Sequence, residues 1–302
     1  MNQKMIISQA TINDLQWWTQ NIMSCFQYIR NFDFQIGIYT DASLSGWGAS
    51  YNNEKIHGFW TIAETQHSIN YLELLAIFLA LKSFPHSKRN CEILIRVDNT
   101  TALSYINKMG GSRYEKYNQL TAEIWKWAEK RHLWLFASHI PGKENVEADK
   151  QSRIKNIDTE WELANFAYKR ITINFGTPSI DLFATRINKK CKRYCSWHKD
   201  PDATYIDAFT VSWKKFYFYA FPPFSIIAKI LQKIINEKAT GVVVVPYWTA
   251  QSWYPVFTSL LIEKPLLIKP NKKLLLSPCR SLEHPLANQL TLLVGKLSGN
   301  LT

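Results

Sequence analysis

Apolar residues recur at helical spacing over 11–30, at Leu15, Trp17, Trp18, Ile22 and Phe26, and predict an amphipathic helix that packs on something. The pattern then alternates. Ile36, Ile38 and Thr40 predict a strand over 35–42, and strands over 46–51 and 55–60 follow around the turn-forming pair Asn52–Asn53. Together these make an antiparallel three-stranded meander. Over 68–84 the period is helical again, at Leu72, Leu75, Ala76, Leu79 and Leu81, and Pro85 ends it. A short apolar strand is expected over 92–97. A helix over 100–108 stops at Gly110–Gly111, and a longer amphipathic helix covers 117–131. A strand over 133–140 halts at Pro141–Gly142, and a last helix runs over 146–152. The order βββ-α-β-α-α-β-α predicts a mixed five-stranded sheet with flanking helices, its last two strands joined through helical crossovers.

The second half starts afresh. A helix is expected over 160–175, a strand over 179–184, then a basic stretch over 186–199. A strand over 216–220 runs into Pro222–Pro223. A helix over 225–238 carries Ile227, Ile230, Leu231 and Ile234 on one face, and a strand over 241–246 and a helix over 252–261 follow. This alternation predicts a smaller, Rossmann-like α/β domain with parallel strands. The expected organisation is a helical region at 1–33, a first domain at 34–155 and a second at 156–302, with the boundary near 154–158.

Composition fits a chain able to bury a core, since 46% of residues are hydrophobic and 20% charged. No apolar run approaches the roughly 18 residues of a membrane span, so no membrane partner is expected. Met1–Ala10 is polar and lacks a signal-peptide core. Five cysteines at irregular spacing imply no disulfide framework, which fits a reducing compartment, cytoplasmic or nuclear. Cys191, Cys195 and His198 have no standard zinc spacing and no clear fourth ligand. The net charge of +12 is uneven: 17 basic against 14 acidic residues up to Lys155, and 19 against 10 beyond it. A polyanionic partner would suit that excess, and so would a solvated basic face.

Four acids carry the candidate chemistry. Asp41 ends the first strand, Glu73 lies in the apolar run of the first long helix, Asp98 ends the fourth strand, and Asp149 falls in the last helix. Glu73 is the telling one, because a charge buried without a partner is costly. Singly, an Asp at a strand end reads equally well as a turn or cap residue. As an ordered set on this topology, the four can converge at one edge of the sheet. Converged carboxylates repel unless cations neutralise them, and Mg²⁺ suits such oxygen-only sites. Two such ions can serve an in-line displacement at phosphorus.

Residues 35–153 resemble the ribonuclease H domain of retrotransposon polyproteins, most closely those of DIRS-type elements, the tyrosine-recombinase retrotransposons. The likeness is carried by Thr-Asp-Ala-Ser-Leu-Ser-Gly-Trp-Gly-Ala (40–49), Ile-Asn-Tyr-Leu-Glu-Leu-Leu-Ala (69–76), Arg-Val-Asp-Asn-Thr-Thr-Ala (96–102) and Ser-His-Ile-Pro-Gly-Lys-Glu-Asn-Val-Glu-Ala-Asp (138–149). It implies that Asp41, Glu73, Asp98 and Asp149 bind two Mg²⁺ or Mn²⁺ ions and that the RNA strand of an RNA–DNA hybrid is cut. It further implies a mobile catalytic histidine at His139 and a loop-ordering role for Asn145. Ser43 and Asn99 are expected hybrid contacts, and Arg113 and Lys116 are candidates to touch phosphates. Leu15-Gln16-Trp17-Trp18 resembles the connector to an upstream reverse transcriptase, an expected partner; Trp17 and Trp18 would face it or pack on this domain.

Residues 160–290 resemble the domain that follows ribonuclease H in those elements, which is similar to DNA N6-adenine methyltransferases. The carrying residues are Ile180–Ala184, Asp207-Ala208-Phe209 with Trp213, Ala220-Phe221-Pro222-Pro223-Phe224, and Val245-Pro246 with Trp253. That enzyme family has Asp or Asn before the two prolines, where the side chain accepts from the target amine. Here Phe221 stands there and cannot accept, so the domain is expected to transfer no methyl group. Nucleic-acid binding through Lys189, Lys190, Lys192 and Arg193, with Arg186 and Lys199 beside them and Tyr194 and Trp197 interleaved, is the alternative role. The rival functions are a catalytically silent nucleic-acid-binding remnant or host-adopted module, a transposase of the same superfamily, and an active adenine methyltransferase.

Overall fold

The computed structural model describes residues 7–25, 33–84, 88–154, 161–277, 279 and 283–300. Phe26, Pro85 and the expected boundary over 155–158 lie outside them. Residues 1–33 form one unit and 34–302 another, and each stands by itself here. The first unit contains helix α1 (Gln9–Asn21), whose N-terminus is capped by Ser8 Oγ accepting from the Thr11 N–H at 3.2 Å. Leu15, Trp17 and Trp18 on it are each about half exposed.

In the second unit the first sheet has the order β3-β2-β1-β4-β5, from β1 (Ile36–Ala42), β2 (Gly46–Tyr51), β3 (Glu54–Phe59), β4 (Cys91–Val97) and β5 (Leu133–His139). β1, β2 and β3 pair antiparallel; β1 with β4 and β4 with β5 pair parallel. This is the mixed five-stranded sheet that the pattern predicts. Asn52 and Asn53 have φ of 47° and 65°, the left-handed pair that a two-residue hairpin turn requires. The helices are α2 (Ile69–Ser83), α3 (Thr100–Asn107), α4 (Glu115–Glu129) and α5 (Val146–Ser152). Helix α2 is buried on almost every side, from Leu72 through Leu81, because the sheet lies under it and α3 and α4 lie beside it. Its sequence is correspondingly apolar all round.

Helix α5 lies against β1, β2 and β3. Gly48 makes this possible: a Cβ there would stand 2.3 Å from the Ala148 carbonyl oxygen and 2.4 Å from the Ser152 nitrogen. Both obstacles are backbone, so neither can rotate away.

The second half contributes β6 (Glu162–Leu163), α6 (Asn165–Phe175), β7 (Ile180–Asp181), β8 (Cys195–Ser196), β9 (Tyr205–Ile206), β10 (Tyr217–Ala220), α7 (Ile227–Glu237), β11 (Thr240–Pro246), α8 (Tyr254–Ser259), β12 (Leu266–Ile268), β13 (Leu275–Leu276) and β14 (Leu292–Ser298). Its sheet has the order β12-β14-β11-β10-β7. β7, β10 and β11 run parallel, and β14 runs antiparallel to both its neighbours. Several expectations are corrected. The helix expected from 160 begins at Asn165, because Glu162–Leu163 pairs with β13 instead. The strand expected over 179–184 shrinks to two residues, because the chain turns and the Phe183 N–H bonds to Asp181 Oδ1. Pro255, in the first turn, starts α8 two residues later than expected. The periodicity reading missed β14, a buried apolar run without alternation.

The two halves are pinned across polar contacts. Arg186 donates to Glu64 through Nη1 at 2.7 Å and Nη2 at 3.0 Å, and Nη2 also reaches the Phe59 carbonyl at 3.1 Å. Lys199 pairs with Glu54, and Lys82 with Asp202 at 2.9 Å. Burial would raise the Glu64 carboxyl, but the Arg186 guanidinium and the Thr61 N–H outweigh it and hold Glu64 below the usual range. No helix among the described residues is long and apolar enough to cross a membrane.

Replacing Gly48 by Ala is expected to push α5 off the sheet, costing roughly 3 kcal/mol. Thermal unfolding should then shift down by roughly 5–10 °C. An unchanged Tm would mean that α5 is not docked through Gly48.

Candidate active site

Three carboxylates reach one place from three elements. Asp41 is on β1 opposite Gly48, Glu73 is in the second turn of α2, and Asp98 directly follows β4. One oxygen from each lies within 4.8 Å of the others, and this is the metal-capable cluster found among the described residues. Asp41 and Glu73 are 5% and 4% exposed, so the cluster sits in the protein rather than on it. Glu73 Oε2 is buried with no hydrogen-bond partner. A buried anion in that condition calls for a proton or a cation.

The electrostatics agree. Burial, then the charges of Asp41 and Asp98, push Glu73 up to about 9. Burial also pushes Asp41 up to about 6, against the hydrogen bond from Ser152 and with help from Asp149 and Asp98. Desolvation and like charge act in the same direction here.

Asp149 is placed differently from the expected convergence of four acids. Its Oδ1 accepts from Arg153 Nε at 2.8 Å and Nη2 at 2.7 Å, and it does not share the 4.8 Å cluster. An arginine one helical turn on is a close partner for an aspartate, so this local pair takes the side chain. Asp149 stays near enough for its charge to act on Asp41.

The supports of the cluster are specific. Ser152 Oγ donates to Asp41 Oδ2 at 2.5 Å. Asn145 Nδ2 donates to the Thr40 carbonyl at 2.8 Å and ties the start of α5 to the strand just before Asp41. A Cβ on Gly142 would lie 3.1 Å from Asp98 Oδ2, so the backbone of that loop closes over Asp98. Sequence reasoning singled out Asn145 but missed Ser152 and Arg153. The available signal was their spacing, three and four residues after Asp149, on the same face of a short helix.

The other candidates fall in several places. His139 is exposed at the end of β5, opposite Val97. Ser43 is turned inward: its Oγ donates to the Ser152 carbonyl at 2.7 Å and accepts from the Gly46 N–H at 3.2 Å. Asn99 caps α3 by accepting from the Ala102 N–H at 2.9 Å, and it donates to Asn70 at 2.8 Å. Both have structural bonds to hold, so direct contact with a hybrid would have to compete with them. Arg113 and Lys116 are exposed, and Arg113 lies over the Tyr114 ring. In the basic stretch, Lys190 is not a free cation: it donates to Glu162 at 2.6 Å and Asn165 at 2.8 Å. Arg186 and Lys199 are engaged with the first half. Lys192 and Arg193 are exposed, and Lys189 lies over the Tyr194 ring.

No family model matches the chain, and no curated protein matches it. Among solved structures, LC11-RNase H1 in complex with RNA/DNA hybrid is 19% identical, covering 39% of this chain and 93% of that one, with a TM-score of 0.34. RNase H1 from the halophilic archaeon Halobacterium salinarum NRC-1 is 16% identical, covering 38% and 92%, with a TM-score of 0.32. The foamy viral protease-reverse transcriptase in complex with RNA/DNA hybrid is 13% identical, covering 50% of this chain and 22% of that one, with a TM-score of 0.27. Likeness at this level carries no argument about chemistry, which rests on the carboxylates and the elements that bear them.

The raised acids give a pH signature. In the metal-free fold Asp41 and Glu73 hold protons that the unfolded chain releases near pH 4. Their stabilising contribution is therefore full below about pH 4 and is lost as pH rises through about 6 and then about 9. The Tm of metal-free protein should fall by roughly 10 °C or more between pH 5 and pH 9. The Glu73→Gln variant should show a shallower fall, and an equal slope in both proteins would exclude Glu73 as the cause.

Proposed function

We propose that the chain is a metal-dependent endoribonuclease that cuts the RNA strand of RNA–DNA hybrids, of the retrotransposon ribonuclease H type. The observation that carries the reading is the cluster of Asp41, Glu73 and Asp98 with an unpartnered buried Glu73 oxygen. An oxygen-only donor set with this excess of negative charge fits Mg²⁺ or Mn²⁺. Asp41, Glu73 and Asp98 would hold the ions, with Asp149 completing the set. Bound there, two divalent ions would lower the pKa of a coordinated water and offset charge on the scissile phosphate.

The chain's own residues do the positioning. Ser152 fixes the rotamer of Asp41, and Asn145 and Gly48 fix α5, so the acids are held before substrate arrives. His139, exposed beside the strand end that precedes Asp98, would carry a proton to or from the phosphate region. Hybrid duplexes are read through shape and the 2′-hydroxyl, so weak sequence preference is expected.

We infer that the second half is a methyltransferase-like module without methyl transfer. Phe221 packs with Phe224, and beside it lies a cavity of about 10 Å³ lined by Asp181, Lys190 and Tyr219, among others. A nucleic-acid role would rest on Lys189, Lys192 and Arg193, because Lys190 is bound within the fold.

The test is cleavage of a labelled RNA–DNA hybrid with Mg²⁺ or Mn²⁺. Asp98→Asn and Glu73→Gln should each lower the rate by roughly 100-fold or more, a loss on the scale of removing a central electrostatic group, while folding is retained by thermal unfolding. Hybrid binding without cleavage would favour the binding-module reading. Joining of DNA ends would favour the transposase reading, and cleavage untouched by either substitution would sink the assignment of the site.

A further inference from the structure

We propose that Arg153 is a resident cation in the acidic site, held by Asp149 until a phosphate of bound nucleic acid draws it away and frees Asp149 for a divalent ion. The inference rests on the reading of the cluster as a divalent-metal site.

One guanidinium is bonded to Asp149 and acts on Asp41 through its charge alone. Arg153 Nε and Nη2 both bond to Asp149 Oδ1, and the charge of Asp41 also acts on Arg153. The positive charge of Arg153 acts on Asp41 against the negative charges of Asp149 and Asp98. Asp149 is thereby neutralised while the other three acids stay within 4.8 Å of one another. The arrangement gives three acids for one ion and a fourth acid already occupied.

The pair is built to exchange. Its side chains are 66% and 41% exposed, with Asp149 on α5 and Arg153, four residues on, directly after its last residue. Exposed pairs of this kind contribute little and part readily. Guanidinium groups pair with phosphate in the same forked geometry that they use with a carboxylate. Arg153 therefore loses no hydrogen bonds in passing from Asp149 to a phosphate. The helix need not move, because Ser152 and Gly48 fix it independently of Arg153. Only two side chains change partners, and Asp149 already lies close enough to Asp41 for their charges to interact.

The experiment counts Mn²⁺ ions by calorimetry and electron paramagnetic resonance, on the full chain without nucleic acid. Wild-type protein should bind one Mn²⁺ tightly, and Asp98→Asn should abolish that event. Arg153→Ala should bind a second Mn²⁺ at least tenfold more tightly than wild type does, and Arg153→Ala combined with Asp149→Asn should lose it. Wild type with a hybrid whose RNA strand is 2′-O-methylated, and so uncleavable, should also gain the second ion. No second ion in Arg153→Ala, or a second ion equally tight in free wild type, overturns the proposal. If wild type binds no Mn²⁺ that depends on Asp98, the metal-site reading itself fails and the proposal falls with it. Folding of the variants is checked by a Tm close to that of wild type, as expected for an exposed residue.

Discussion

Asp41, Glu73 and Asp98 stand closer together than free carboxylates would remain, and the rest of the first half holds them there. Two unit charges 4.8 Å apart repel by roughly 3 kcal/mol at an effective dielectric near 20. Burial adds a desolvation cost, and both effects show in Glu73 and Asp41, which hold their protons well above the usual carboxylate range. Such a place persists only if each acid is fixed by something stronger than the repulsion. Asp41 is fixed by strand pairing on both sides of β1, Glu73 by a helix buried nearly all round, and Asp98 by the end of β4. The opposing terms leave a site that gains stability from whatever cation enters it.

The fourth acid shows how a local contact can override a global arrangement. Asp149 rides on α5, which Gly48 lets close onto the sheet and which Asn145 and Ser152 tie to the two sides of Asp41. The backbone thus brings Asp149 near the cluster, while Arg153 one turn away takes its side chain. Close backbone placement and side-chain capture are separate facts, set by different residues.

The second half changes the meaning of the basic charge. Of the cations between Arg186 and Lys199, Arg186 and Lys199 bind acids of the first half and Lys190 binds Glu162 within its own. Part of the net charge of +12 is thus structural, and composition overstated what is available to phosphates. The bidentate Arg186–Glu64 contact is largely buried, so removing one partner would cost more than parting a surface pair.

The five strands of the first sheet, the four helices α2 to α5 and the four acids were legible in sequence, because alternation, helical period and turn residues are local signals. A glutamate inside Leu-Glu-Leu-Leu announced a buried charge before any coordinates, since no apolar helix carries one without reason. The second half was less legible. Strand β14 has no alternation because both its faces are covered, and Glu162–Leu163 became a strand only because Leu275–Leu276 came to meet it. Tertiary structure alone decided that Glu73 Oε2 would lack a partner, that Ser152 would hold Asp41, and that Lys190 and Arg186 would be spent on internal acids. The sequence by itself determined which acids the chain carries and in which elements; which of them meet, and which cations remain free, depended on distances that only packing between remote segments creates.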